Sequence, residues 1–163
     1  MWSGVWVMAV FASGFALPDI GLPVDGLTVA GLRDTFAEVH FGHPHEALDL
    51  PAPKGTPVHA VVAGTIRKLF LSKPGGNTIY EFDDKSAYCY YYAHLDRYAE
   101  GLREGMRIER GDVIGFVGST GDADPKSPHL HFAVFELGPE KLWWQGKALN
   151  PYPALLAALK RGK

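Results

Sequence analysis

Between residues 56 and 137 the chain reads as a series of short runs rich in β-branched and aromatic residues, each closed by Gly, Pro, Asn or Asp. Thr56–Val62, Thr65–Leu71, Thr78–Phe82, Tyr88–Leu95, Val113–Val117 and His129–Leu137 all have the length and composition of strands. With 19 Gly and 12 Pro among 163 residues, turn residues interrupt any long helical stretch, so a mainly β domain is expected. Few, short helices are expected: Thr28–Phe36, weakened by Gly31, and Leu155–Lys160, starting at Pro153. Residues 53–66 and 103–115 resemble each other. Each turns at a Gly (Gly55, Gly105), runs through a short apolar stretch and turns at another Gly (Gly64, Gly111), which predicts a duplicated β-hairpin unit.

The length fits one domain, and a hydrophobic content of 47% is enough to bury a core. A net charge of −2 argues against nucleic acid as a partner. Residues 1–18 form a separate object. They contain no charged side chain, and the apolar run Val5–Leu17 is short for a bilayer span, with Gly14-Phe15-Ala16 as a small-x-small site. The expectation is an export signal or a short membrane anchor over 1–18, the latter bringing membrane contact; a buried strand is the alternative. The folded domain is then 19–163.

A single cysteine, Cys89, excludes an internal disulfide and an all-Cys zinc site, which leaves seven histidines as the informative residues. Three places stand out. In His45-Glu46-Ala47-Leu48-Asp49 an imidazole and a carboxylate fall on one face of a strand with Ala47 between them. In Pro128-His129-Leu130-His131-Phe132-Ala133-Val134 two imidazoles share a face, while Leu130, Phe132 and Val134 point into the core. In Tyr90-Tyr91-Tyr92-Ala93-His94 the alternation puts His94 with Tyr90 and Tyr92, and Cys89 on the opposite face, so Cys89 is not a ligand. Any one of these alone fits a hydrogen-bonded structural histidine. Taken together they offer two His and one Asp, an open zinc site with its fourth position left to water, and further imidazoles for acid–base work. His40, His43 and His59 lack such support and read as surface or loop residues. Trp143, Trp144 and Asn150–Pro153 either contact substrate or cap the domain; aromatics near a chain end read first as packing.

These residues resemble the lysostaphin/LytM-type zinc endopeptidases of bacterial cell walls. His45 to Val58 looks like that family's H-x-G-x-D stretch followed by A-P-x-G-T-P-V, with Ala47 in place of the Gly. Tyr92-Ala93-His94-Leu95 looks like its Y-x-H-L, and Gly118–Gly121 followed by Pro128–Phe132 like its G-x-x-G loop and H-L-H-F strand. The resemblance implies a paired β-hairpin, half-barrel core crossed by a substrate groove. It implies one Zn2+ per chain on His45, Asp49 and His131, with His94 and His129 acting catalytically beside a water. It also implies Asn77 as a loop residue and Tyr92 as a residue that lines the groove or donates a hydrogen bond, both as candidates for substrate binding. The function implied is hydrolysis of peptide cross-links of peptidoglycan, with stem peptides as the partner, in an exported protein of the periplasm or cell envelope. Two alternatives stand beside it: a catalytically inactive peptidoglycan-binding or activator module on the same fold, and a biotinyl or lipoyl carrier. Lys54 and Lys68 lack the setting of a modified carrier lysine.

Overall fold

The computed structural model describes residues 17–40 and 42–162. Most of the apolar run expected to direct export or anchor the chain thus lies outside the described residues. The elements, in chain order, are β1 (Val39–His40), β2 (His43–Pro44), β3 (Leu48–Pro51), β4 (Pro57–His59), β5 (Gly64–Ser72), β6 (Gly76–Asp83), β7 (Tyr88–Tyr98), β8 (Arg107–Ile108), β9 (Val113–Val117), β10 (His129–Leu137), β11 (Gly146–Leu149) and α1 (Tyr152–Arg161). Among the described residues β1 and β2 pair with each other, and the other nine strands form one antiparallel sheet with the path β11-β10-β7-β6-β5-β8, to which β3, β4 and β9 attach off the path. β3 pairs with the first half of β10, opposite His129 to Phe132, and β11 with its second half. β7 pairs with β10 up to Ala93 and with β9 from Leu95 onward.

The expected duplication takes a reciprocal form. Pro57 and Val58 from the first repeat pair with Phe116 and Gly115 from the second, while Gly64 and Thr65 pair with Ile108 and Arg107. Gly55 and Gly105, at matching places in the two copies, both adopt positive φ (87° and 79°), the conformation for which glycine is the ordinary choice.

Alternation along the long strands sets the layers. Leu48, Leu50, Tyr90, Tyr92, Leu130, Phe132 and Val134 are fully buried on one side. Leu155 and Leu159, four apart on α1, join the same core. Each fully buried Leu stabilises the domain by about 1.5–3 kcal/mol. Cys89 is buried in a smaller cluster with Phe82 and Leu137. α1 extends the expected helix by a turn, with Pro153 in its first turn and Lys160 and Arg161 in its last, where they favour the helix dipole.

The helix expected at Thr28–Phe36 does not form. Thr28 Oγ1 accepts the Gly31 N–H at 3.1 Å and Asp34 Oδ1 accepts the Phe36 N–H at 3.2 Å. These local bonds satisfy amides that a helix would have used, and Gly31 lowers the helical alternative further. The strand expected over Thr56–Val62 is confined to Pro57–His59, because the chain bends at residues 61–63.

Candidate active site

The site is built where β3, β7 and β10 lie side by side. Asp49 of β3 and His131 of β10 are cross-strand partners, and His131 faces Ala93 of β7 on its other edge. Leu130 and Phe132 anchor the strand from below, so His129 and His131 both project to the open side, as the alternation predicts. The cleft above them has a volume of about 400 Å³ and takes in His45, Asp49, Tyr91, His94, His129 and His131.

His45 Nε2 lies 3.2 Å from both His131 Nδ1 and Asp49 Oδ1, and His131 Nδ1 lies 3.1 Å from Asp49 Oδ1. Burial opposes ionisation of Asp49, but the hydrogen bond from His131 and the charges of His131, His45 and His129 outweigh it and hold the carboxyl at about 2. Asp49 is therefore a carboxylate across the neutral range.

Two imidazole nitrogens and a carboxylate oxygen within 4.8 Å of one another are a donor set for a metal. A tetrahedral zinc with bonds of about 2.0–2.1 Å has ligand atoms about 3.3 Å apart, close to the three separations found. The residues present therefore fit a zinc ion. Thr35 holds two of the three. Its carbonyl faces His45 Nδ1 at 3.1 Å, so that nitrogen carries the proton and Nε2 is the one offered to a metal. Its hydroxyl accepts the Asp49 N–H at 3.2 Å and donates to the Ala47 carbonyl. Sequence reasoning missed Thr35, because it works through a carbonyl and a hydroxyl in a segment with no periodicity.

His94 and His129 flank the triad, with ring centroids 5.0 Å apart, and His94 lies 5.5 Å from His131. His94 Nδ1 meets the Thr120 carbonyl at 2.8 Å, and His129 Nδ1 meets the Ser127 carbonyl at 2.9 Å. A carbonyl only accepts, so both Nδ1 atoms are protonated and each neutral ring keeps its lone pair on Nε2. Burial lowers the His94 pKa, with the neighbouring imidazoles adding to it against the Thr120 carbonyl; the neutral form is favoured.

Strand parity fails at two of these positions, and both times a left-handed residue is the cause. Glu46 has φ 54°, so His45 and Asp49 meet across a bend and not along a straight strand. Ala47 is fully buried and does not line the cleft, although the alternation places it on the same face as His45 and Asp49. His94 has φ 60°, at a bulge where the four residues Tyr92 to Leu95 of β7 oppose the three residues Ile79 to Asn77 of β6. The bulge turns His94 to the side of Tyr91 and Ala93, away from Tyr90 and Tyr92.

Of the two candidates for substrate binding, neither lines the cleft. Tyr92 is fully buried; its hydroxyl donates to Glu81 at 2.5 Å and accepts the Val61 N–H at 3.1 Å. Tyr91 is the tyrosine of the cleft. Asn77 Nδ2 donates to the carbonyls of Leu95 and Asp96 at 3.1 and 3.2 Å, which pins the chain just beyond His94. His59 sits on β4 and not in a loop, bonded to Asp25 and the Gly111 carbonyl, while His43 is exposed on β2.

The glycines of the two loops follow from close approach. A Cβ on Gly76 (φ +64°) would stand 2.2–2.5 Å from Thr120 and Gly121, and one on Gly121 (φ +79°) 2.2 Å from the Pro74 carbonyl. The turn at 74–76 and the loop at 118–121 thus lock together, and the lock fixes the carbonyl that orients His94.

Comparison with known proteins agrees with this geometry. The L-Ala–D-Glu endopeptidase of Bacillus subtilis is 34% identical over 118 residues, which is 69% of this chain and 35% of that protein's length. The catalytic domain of lysostaphin from Staphylococcus simulans superposes with a TM-score of 0.61 at 29% identity, covering 78% of this chain and 89% of that one. A zinc-containing peptidase from Vibrio cholerae superposes with a TM-score of 0.58 at 28% identity, covering 72% and 36%. The sequence model of peptidase family M23 matches residues 43–151, a stretch that takes in His45, Asp49, His94, His129 and His131, and the chain belongs to that family.

Proposed function

We propose that this protein is a zinc-dependent endopeptidase that hydrolyses peptide bonds in the stem peptides or cross-links of bacterial peptidoglycan. The observation that carries the reading is the donor triad of His45, Asp49 and His131, 3.1–3.2 Å apart, with two oriented imidazoles beside it in one cleft. The named activity of the Bacillus subtilis relative supports the substrate class, and the zinc-containing neighbour supports the metal.

His45, Asp49 and His131 would hold the ion. Bound there, zinc supplies Lewis acidity that polarises a carbonyl and makes a water more acidic. The chain's own part lies in His94 and His129. Each donates its Nδ1 proton to a backbone carbonyl and keeps Nε2 ready to take a proton from water and to return it to the departing amine. Once one of them is charged, it also donates a hydrogen bond to the oxyanion of the tetrahedral intermediate. The two share these duties within one pair of rings. The proposed location is outside the cytoplasm, in the periplasm or envelope, where this substrate is.

The test is digestion of purified sacculi by zinc-loaded protein, with and without a chelator, followed by mass analysis of the released fragments. New peptide ends that appear only without chelator support the reading. Binding to sacculi with no release of fragments would make the protein an inactive binding or activator module and overturn it.

A further inference from the structure

Beyond the cleft, a train of aromatic rings leads away from His131 over the open face of the sheet. Tyr91 lies 5.9 Å from His131, Tyr80 4.7 Å from Tyr91, Trp143 4.7 Å from Tyr80, and Trp144 5.2 Å from Trp143. Phe135 flanks Tyr91 at 6.4 Å. These rings, with Gln145, line a recess of about 240 Å³, and Tyr91 borders both this recess and the catalytic cleft. Trp143 packs on the cluster of Phe82, Cys89 and Leu137, but Trp144 is 61% exposed, so it does not pack as the sequence implies. Tyr91 borders the cleft, and the proposed mechanism uses none of these rings.

We infer that this recess is a subsite for a neutral sugar ring of the glycan chain to which the stem peptides are attached. The inference rests on peptidoglycan being the substrate. Continuity through Tyr91 puts the recess within reach of a ligand that occupies the cleft. The chemistry of the lining selects the sugar over the peptide. Among the described residues no Asp, Glu, Lys or Arg lines the recess. Lys68 Nζ, 6.0 Å from the Trp143 ring, is paired with Glu104 at 2.9 Å. An acidic peptide such as the D-Glu-containing substrate named for the Bacillus subtilis relative finds no free cation there. A pyranose ring offers an apolar C–H face to an aromatic ring and hydroxyls to its rim, and an N-acetyl group adds a methyl. Ring faces with Gln145 among the lining complement that pattern.

The experiment is a tryptophan-fluorescence titration of the intact protein with the tetramer of β-1,4-linked N-acetylglucosamine, which carries no peptide. Saturable change is expected for the wild type. Trp144→Ala, an exposed position that leaves the melting temperature unchanged, is expected to weaken binding about tenfold, as loss of one stacked ring implies, and Trp144→Phe to recover part of it. Absence of a saturable signal, or equal affinity in Trp144→Ala, overturns the inference. A signal saturated by the free stem peptide in place of the sugar makes the recess a peptide subsite and also overturns it. A signal that changes with protein concentration alone assigns the rings to a second copy, with the same consequence. Binding is read without turnover, so a protein that binds the tetramer and cuts no sacculi fails the peptidase reading alone. One that cuts sacculi and ignores the tetramer fails this inference alone.

Discussion

Replacing Glu81 by Gln tests how this fold accommodates a buried acid. Glu81 lies at 0% exposure, with Oε2 accepting the Tyr92 hydroxyl, and Oε1 has no hydrogen bond of normal geometry despite the nearby amides of Val61 and Val62. Burial raises its pKa from 4.5 to about 8. Between those two values the folded chain keeps a proton that the unfolded chain has lost. The unfolded state then binds fewer protons, so stability falls as pH rises, by about 1.4 kcal/mol per unit. From about pH 5 to pH 8 the loss amounts to about 4 kcal/mol, and above pH 8 the folded state ionises too and the decline levels off. Glu81→Gln places a neutral group of the same shape there, and its carbonyl still accepts from Tyr92, so this contribution to the slope disappears. Urea denaturation of both proteins at pH 5, 6, 7 and 8 gives the check, because other titrating groups cancel in the difference. The variant is expected to gain on the wild type steadily across that range. Parallel stability profiles would refute the reasoning, since they would mean that Glu81 is charged inside the fold.

His45→Ala, Asp49→Ala and His131→Ala should each lose bound zinc and activity together, as measured by elemental analysis and sacculus digestion. His94→Ala and His129→Ala should keep the metal while kcat drops about 10²–10⁴-fold; wild-type turnover in either would remove it from the mechanism. Thr35→Ala should weaken zinc binding about tenfold by loosening Asp49, with little change in the melting temperature of the metal-free protein. Gly76→Ala should cost about 2–4 kcal/mol, from the left-handed φ and the overlap with Thr120, and should lower kcat by displacing the carbonyl that orients His94. Zinc at about 100 times its Kd should stabilise the wild type by about 2.7 kcal/mol and should leave His131→Ala unmoved, as seen in melting curves.

The strand scaffold was legible because its long runs alternate. His129 and His131 were placed correctly since Leu130, Phe132 and Val134 leave them one direction to face. The association of His45 with Asp49 was also readable, although a bend at Glu46 brings it about and alternation does not. What could not be read were the departures from period two. The bulge at His94 exchanges Tyr92 for Tyr91 as the tyrosine of the cleft, and no local residue type announces it. The Thr28–Phe36 segment looks helical until Thr28 and Asp34 claim the amides for themselves, and Thr35, which falls in that stretch, acts through atoms that carry no pattern.

The left-handed residue at position 94 is a phase slip in β7. Before it, the strand is counted in step with the hydrophobic interior; after it, in step with β9, and the imidazole sits on the boundary between the two counts. A regular pleat through all of 92–95 would turn the histidine toward the core tyrosines, and the protein would hold its metal with half of its acid–base pair facing the wrong way. The extra residue at the slip is what lets Leu95 stay in the core while the imidazole beside it stays in the cleft.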